Sequence, residues 1–357
     1  MNHSQYIQNR PVLKDIFKND FYIGAALSLD QIEGRDPQGK ALVEKHFNSI
    51  VAENILKWEE IHPHPETYNF EPADKYTALG KKNNMFVVGH TLVWFYQTPD
   101  WVFEDESGNP LNREALLSRM KDHIFAVMGR YQGKIQGWDV VNEAILADGS
   151  FRKCPWHEII GEDYIQKAFE FAREADPEAE LYYNDYDFIK PAKCEGIIKL
   201  IKNLQSKDIR IDGIGIQGHW FLEYPKIKDI EKFIQDLSLL GIKLMITELD
   251  IGVLPFYPVD TPVVDLSSFD PATQKKYNPY PESIPDSVLK EQADRYAEIF
   301  SLFRKYRDTI DRVTFWGVHD KQSWRSYLPI RGRTEYPMLF DRNCNPKPAF
   351  DALIKLR

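Results

Sequence analysis

The sequence predicts an α/β protein in which residues 1–357 form one domain, a closed (β/α)8 TIM barrel. Three observations lead to this fold. Eight short apolar runs alternate with eight stretches of helical periodicity, a pattern typical of βαβ units and a parallel sheet. Eight such repeats in a chain of this length favour a closed barrel over an open doubly wound sheet. The absence of a glycine-rich phosphate loop argues against a dinucleotide-binding fold.

Each predicted strand is a short apolar run that ends in polar or charged residues. In chain order the runs cover 21–27, 47–53, 85–89, 135–141, 181–183, 214–216, 243–251 and 313–315. Within the seventh run, the apolar residues 244–246 are followed by Glu248 and Asp250, and two carboxylates at the end of a buried strand are unfavourable unless they are paired, hydrogen-bonded or used. Taken alone, this stretch also fits a strand that ends in an exposed acidic turn.

The predicted helices follow these strands, and two of them begin at a proline, which suits the first turn of a helix. They cover 37–47, 72–84, 112–130, 164–175, 192–205, 227–240, 288–306 and 349–354. The longest irregular stretch, 252–286, contains seven prolines, so we expect no helix there. It follows the seventh strand on the functional face of the barrel, where a loop of this length is usually a wall of the site or a mobile segment.

Composition restricts the class of protein. The net charge of -9 gives no reason to expect binding to nucleic acid or to an anionic membrane. No apolar run is long enough to span a bilayer. The first residues lack the apolar core of a signal peptide. The protein is therefore cytoplasmic if the chain is complete, and extracellular or periplasmic if a leader was removed.

The three cysteines, Cys154, Cys194 and Cys344, are far apart and form no CxxC pair. This spacing argues against a zinc site, and the odd number argues against a disulfide framework. We expect no metal and no cofactor, and we expect the protein to be a monomer.

Polar or aromatic residues follow nearly every apolar run. Because the carboxyl ends of barrel strands converge on one face, these side chains are expected to form one site. They are Glu53, His90, Glu143, Tyr186, Gln217, His219, Glu248 and Trp316.

Glu143 and Glu248 follow strands four and seven, which lie nearly opposite each other in a barrel of eight. Two facing carboxyl groups suit glycoside hydrolysis, in which one is protonated and the other ionised. The alternatives are a structural carboxylate pair or a divalent-metal site, although hard cations usually need more carboxylates close together.

Eight segments carry a resemblance to a known family. They are KWEEIHPHPETYNF, GHTLVW, QTPDWVF, WDVVNEA, ADPEAELYYNDYD, GIGIQGHW, GIKLMITELDI and FWGVHDKQSW. Together they resemble family 10 glycoside hydrolases, the retaining endo-β-1,4-xylanases, from about residue 21 to residue 350. The resemblance implies hydrolysis of xylan or xylo-oligosaccharides.

By that resemblance, Glu248 is the nucleophile and Glu143 the acid/base, with carboxyl groups about 5–5.5 Å apart. Asn142 is expected to bond the sugar 2-hydroxyl. His219 is expected to bond Glu248 and hold it in place, and Asp250 is expected to orient His219. This chain of hydrogen bonds would keep Glu248 ionised. A buried structural role is the alternative for His219.

The resemblance also implies the residues that bind the sugars. Those on the non-reducing side of the cleaved bond are Glu53, Asn54, Lys57, His90, Trp94, Trp316 and Trp324. Tyr186 and Asn184 match the leaving-group side, and Gln217 is placed among the substrate-binding residues. For Trp316 and Trp324 the alternative is packing in the core. His62 and His64 resemble a metal pair, but the prolines beside them indicate a rigid surface turn, and they receive no role.

Two other functions remain open. The same two glutamates could cleave β-1,4-glucan or aryl β-cellobiosides. A barrel that binds carbohydrate but has lost catalysis is a third possibility, and the presence of both glutamates argues against it.

Overall fold

The computed structural model describes residues 11–258 and 262–356. Eight parallel strands form a closed barrel, which confirms the predicted fold. They are Tyr22–Leu27 (β1), Ser49–Ala52 (β2), Phe86–Trp94 (β3), Gly137–Asn142 (β4), Glu180–Asp185 (β5), Gly213–Ile216 (β6), Lys243–Gly252 (β7) and Ile310–Phe315 (β8). Each strand pairs with the next, and β8 pairs with both β7 and β1. Val313 is aligned with Ile246 on one side and with Ile23 on the other, so the sheet closes at this strand.

A helix follows each barrel strand. The eight are Pro37–His46 (α1), Glu71–Lys82 (α2), Arg113–Tyr131 (α3), Tyr164–Ala175 (α4), Pro191–Ser206 (α5), Ile227–Ser238 (α6), Asp286–Lys305 (α7) and Pro348–Ile354 (α8). Shorter helices are Leu13–Ile16, Leu29–Glu33 and Trp58–Ile61. Within the described parts of the chain, no helix combines the length and the apolar character needed to cross a bilayer.

Strand β3 is longer than the sequence predicts. The apolar run is interrupted by His90 and Thr91, but the strand continues to Trp94 through a register shift between His90 and Val93. A shift of this kind changes the direction in which side chains point without ending the pairing. Both His90 and Trp94 are therefore carried by a strand, which restricts their positions more than a loop would.

The expectation of no helix in residues 252–286 is wrong. Pro271–Tyr277 is helical, and the Asp270 side chain accepts hydrogen bonds from the backbone N–H groups of Ala272 and Thr273. Proline at the first helical position lacks an N–H that would be unsatisfied there anyway, so it starts a helix rather than preventing one. The same segment pairs Val264–Asp265 with Ile330–Arg331, and its residues 259–261 lie outside the described residues.

The apolar core has two parts. The larger lies between the barrel and the surrounding helices, where α4 buries one face through Ile165, Ala168, Phe169 and Ala172. The smaller lies inside the barrel and contains Ala26, Val51, Val88 and Trp316. Because Trp316 covers this inner core from the carboxyl ends of the strands, it forms the boundary between the packed interior and the site above it.

Candidate active site

The carboxyl ends of the barrel strands surround a groove of about 1720 Å³. The structure brings thirteen of the sequence-predicted site residues to its walls, and the two others, Asp250 and Asn184, lie fully buried behind them. The thirteen are Glu53, Asn54, Lys57, His90, Trp94, Asn142, Glu143, Tyr186, Gln217, His219, Glu248, Trp316 and Trp324.

Glu143 follows β4 in an uncommon backbone conformation. Its φ of 59° lies in the left-handed region, which a residue with a side chain occupies at a cost of about 1–3 kcal/mol. Two hydrogen bonds hold this turn: the Glu143 N–H donates to the Asn184 carbonyl at 2.9 Å, and Arg152 Nε donates to the Glu143 carbonyl at 2.9 Å. Strain held in this way is typical of functional positions.

The Glu143 carboxyl group is buried, and its pKa is raised above the ordinary value. Gln217 Nε2 donates to Oε1 at 2.8 Å and Trp94 Nε1 donates to Oε2 at 3.1 Å. Burial raises the pKa of Glu143, and the negative charges of Asp185 and Glu248 raise it further, while the hydrogen bond from Gln217 opposes them. The group is therefore suited to donate a proton.

The pKa of the Glu248 carboxyl group is shifted in the opposite direction. Burial raises its pKa, but the hydrogen bond from His219 and the charges of nearby histidines outweigh burial, so its pKa is below the ordinary value. Asn184 Nδ2 donates to Oε1 at 2.8 Å, and His219 Nε2 lies 3.1 Å from Oε2. Thr247 donates to the Asn184 Oδ1, which leaves the amide NH2 of Asn184 facing Glu248. Glu248 is thus held ionised and fixed in direction.

Asp250 lies behind His219. Oδ2 of Asp250 is 3.1 Å from His219 Nδ1, within ion-pairing distance although off the hydrogen-bond direction. Burial opposes the charged form of His219, but Asp250 and Glu248 overcome it and raise the pKa of His219 to about 9. The imidazole is therefore a cation at neutral pH between two carboxylates.

The negative charge of Asp250 is balanced by Arg325 on the side away from His219. Arg325 Nη2 and Nε donate to Oδ1 at 2.7 and 2.9 Å, and Trp324 Nε1 donates to Oδ2 at 2.8 Å. Burial alone would raise the pKa of Asp250, but Arg325 and His219 lower it to about 2. A row of alternating charges thus runs from Arg325 through Asp250 and His219 to Glu248.

One wall of the groove carries a buried lysine. Lys57 Nζ donates to Asn54 Oδ1 and Gln97 Oε1, both at 2.8 Å, and lies 5.0 Å from the centre of the Trp94 ring. Burial lowers the pKa of Lys57, and Glu248 and Glu53 oppose this. Its N–H groups are arranged for polar ligand groups such as hydroxyls.

Glu53 and His90 are anchored from below. Gln322 Nε2 donates to Glu53 Oε2 at 3.3 Å, and burial raises the pKa of Glu53. His90 Nδ1 lies 2.8 Å from Asp139 Oδ2, which leaves Nε2 for a ligand. These positions combine hydrogen-bonding groups with the Trp316 ring, whose centre is 5.4 Å from that of His90.

Arg152 was not assigned to the site by sequence reasoning. It holds the Glu143 backbone and also donates to the Tyr186 hydroxyl at 3.1 Å, and no pattern in the sequence indicates it. Asn184, which the resemblance places on the leaving-group side, is fully buried, and its Nδ2 donates to Asn142 Oδ1 and to Glu248 Oε1. It therefore positions both of these side chains.

His62 is packed in the interior rather than in a surface turn. Its ring stacks on Tyr68 at 3.8 Å, and its Nδ1 lies 3.1 Å from Nδ1 of His123. Burial lowers the pKa values of both His62 and His123. Both are therefore parts of an aromatic stack, and neither lines the groove.

The groove contains two carboxyl groups whose pKa values are shifted in opposite directions. Both glutamates accept hydrogen bonds from neighbouring donors and share the groove with the cationic Lys57, a poor environment for a divalent metal. In the described part of the chain, three donors of metal-binding type cluster elsewhere, at Asp36, His319 and Cys344.

Comparison with known proteins identifies the family. The model of glycosyl hydrolase family 10 matches residues 12–356. Endo-1,4-beta-xylanase A of Xylanibacter ruminicola is 43% identical over 98% of this chain and 94% of its own length. A family 10 endoxylanase from a sugarcane soil metagenome is 43% identical, with a TM-score of 0.91 over 97% of this chain and 99% of that one. A mutant solved in complex with xylotriose is 36% identical, with a TM-score of 0.85 over 97% and 100%. The chain therefore belongs to glycosyl hydrolase family 10.

Proposed function

We propose that this protein is an endo-acting glycoside hydrolase that cleaves internal β-1,4-xylosidic bonds of xylan with retention of the anomeric configuration. The observation that carries the proposal is the opposite perturbation of two glutamates in one groove, with the pKa of Glu143 raised and that of Glu248 lowered. The relatives named as xylanases, and the related structure that holds xylotriose, support xylan as the substrate class.

The first step breaks the glycosidic bond. Glu248 attacks the anomeric carbon while Glu143 donates its proton to the departing oxygen, giving a glycosyl ester on Glu248 and a shortened chain. Esterification removes the negative charge of Glu248, which is one of the causes that raise the pKa of Glu143. The pKa of Glu143 therefore falls once the intermediate forms.

The second step restores the enzyme. The Glu143 carboxylate takes a proton from a water molecule, the resulting oxygen attacks the anomeric carbon, and Glu248 leaves as a carboxylate. Glu143 is then protonated and ready for another cycle. Two inversions at one carbon give net retention.

The remaining groups bind the polymer. We assign Asn142 to the 2-hydroxyl next to Glu248, where a bond can strengthen in the transition state. We assign Glu53, Asn54, Lys57, His90 and Trp94 to sugars before the cleaved bond. The groove exceeds the roughly 300–1,000 Å³ of sites for small ligands, which suits a segment of polysaccharide.

The test combines activity with stereochemistry. Wild type should release reducing sugar from xylan, and proton NMR should show the β-anomer first. Glu248→Ala should abolish turnover, whereas Glu298→Gln, an exposed carboxylate paired with Arg295, should leave it unchanged. Early appearance of the α-anomer would overturn retention, and full activity of Glu248→Ala would overturn the assignment of the nucleophile.

Substrate class needs its own comparison. Rates on xylan and carboxymethylcellulose, measured under one set of conditions, should favour xylan strongly. Negligible cleavage of xylan beside rapid cleavage of glucan would replace xylan with β-1,4-glucan, and binding without any product would indicate a binding protein.

A further inference from the structure

Three side chains from distant parts of the sequence meet outside the groove. A carboxylate oxygen of Asp36, a ring nitrogen of His319 and the sulfur of Cys344 all lie within 4.8 Å of one another. Asp36 precedes α1, His319 follows β8, and Cys344 lies in the turn before α8. No metal site was expected because the sequence shows no metal-binding spacing, and ligands up to 308 positions apart, from Asp36 to Cys344, produce no such spacing.

His319 is the central member of this cluster. It is buried, and its Nε2 lies 2.8 Å from Oδ2 of Asp36. Its other ring nitrogen, Nδ1, is also buried and has no hydrogen-bond partner among residues 11–258 and 262–356. Buried polar atoms usually have a hydrogen-bond partner, and the described protein groups supply one for only one of the two ring nitrogens of His319.

Asp36 is supported as metal-binding carboxylates usually are. Gln31 Nε2 donates to its Oδ2 at 2.8 Å and the Gly39 N–H donates to its Oδ1 at 2.9 Å. Such outer contacts fix the direction of a ligand. Burial raises the pKa of the Cys344 thiol to about 11, the negative charges of Asp36 and Asp341 raise it further, and Lys321 opposes them.

We propose that Asp36, His319 and Cys344 bind one transition-metal ion, with Zn²⁺ the best match. Zinc accepts thiolate, imidazole and carboxylate ligands, and bond lengths of about 2.0–2.3 Å place tetrahedral ligands about 3.3–3.8 Å apart. The observed spacings, from 2.8 Å to at most 4.8 Å, reach that geometry through small side-chain rotations. Water would complete the fourth position.

The site would join the first and the last βα units of the barrel. Asp36 belongs to the first βα connection, whereas His319 and Cys344 follow the last strand, so a bound ion would link β1 to β8 across the closure of the sheet. Gln31 also donates to Gln322, which in turn donates to Glu53 in the groove. The metal site and the sugar-binding wall therefore share a chain of hydrogen bonds.

The test uses the metal alone. The full chain, freed of metal by a chelator, is titrated with ZnCl2 by calorimetry and with CoCl2 by absorption. We expect one equivalent of each, and a near-ultraviolet thiolate-to-cobalt band. Cys344→Ser should abolish that band and weaken zinc binding at least about tenfold, since even outer partners of a metal contribute that much. His319→Gln should weaken binding similarly, and zinc should raise the Tm of wild type but not that of Cys344→Ser or His319→Gln.

The matched control is Cys194→Ser, which removes a buried thiol that is not part of the cluster and should leave binding unchanged. Wild type that binds neither ion, or a cobalt band that survives in Cys344→Ser, would overturn the proposal. If Cys344→Ser does not fold, the wild-type cobalt spectrum and its loss in His319→Gln decide the question.

Discussion

Replacing Asp250 by Asn tests how the ionised state of Glu248 is maintained. The substitution keeps the shape of the side chain but removes the charge that pairs with His219. The pKa of His219 stands at about 9 against an ordinary 6.5, a difference that corresponds to about 3.4 kcal/mol. Burial alone would lower that pKa, and Asp250 is the largest contribution that raises it.

Without Asp250, His219 should be mostly neutral at neutral pH. The pKa of Glu248 then rises, because an adjacent cation within about 4–6 Å lowers a carboxyl pKa by about 1–3 units and that cation is lost. Since Glu248 must be ionised to attack, the acid limb of kcat/KM against pH should move to higher pH by about one unit or more. Below that limb the variant should be about tenfold slower than wild type.

The assay is kcat/KM on an aryl β-xylobioside across the pH range, with urea unfolding measured in parallel. Unfolding is needed because Arg325 loses its buried partner, which typically costs about 3–5 kcal/mol. Glu335→Gln is the matched control: it also removes a buried carboxylate that acts on Arg325, but Glu335 bonds the Val253 and Leu254 N–H groups instead of His219. A folded Asp250→Asn variant with an unmoved acid limb, or equal shifts in both variants, would refute the reasoning.

Three further predictions concern Glu143, His46 and Phe256. Glu143→Ala should spare aryl xylosides with good leaving groups far more than xylan, because those substrates need little protonation, and equal losses on both would contradict the acid assignment. Burial lowers the pKa of His46 to about 3, below its ordinary value of 6.5. Between these two pH values the unfolded chain binds a proton that the folded chain does not, so the free energy of unfolding decreases as the pH is lowered. When the pH is lowered from about 7 to about 5, the free energy of unfolding measured in urea should therefore decrease by about 2 kcal/mol less in His46→Gln than in wild type. Equal decreases in the two proteins would contradict this expectation. Phe256 is 62% exposed on the long segment beside the groove, so Phe256→Ala should raise KM on polymeric xylan and leave short aryl substrates and Tm nearly unchanged.

Sequence reasoning reached the barrel because its signals are local. Apolar runs that alternate with helical periodicity are determined by neighbouring residues, and the polar residue after each run marks the carboxyl end of a strand. The same logic predicts from the sequence that Glu143 and Glu248 lie on one face of the barrel. It failed in residues 252–286, where proline was read as excluding a helix although Asp270 and Pro271 begin one.

The partners of the site residues were beyond such reasoning. Arg325 lies 75 positions from Asp250, and Arg152 reaches the backbone of Glu143 from a loop with no distinguishing pattern. Contacts of this kind depend on which loops the barrel brings together. The left-handed backbone of Glu143 is likewise held by hydrogen bonds from other parts of the chain.

The amino-acid sequence by itself determined the eight βα units, the face on which the site lies and the two glutamates that occupy it, because periodicity and strand polarity are properties of short segments. The tertiary structure alone supplied the physical reason why the pKa of Glu143 is raised and that of Glu248 is lowered. Both are the same residue type at the end of a strand, and their pKa values separate only because burial, Asp185, His219 and Asn184 act on them differently.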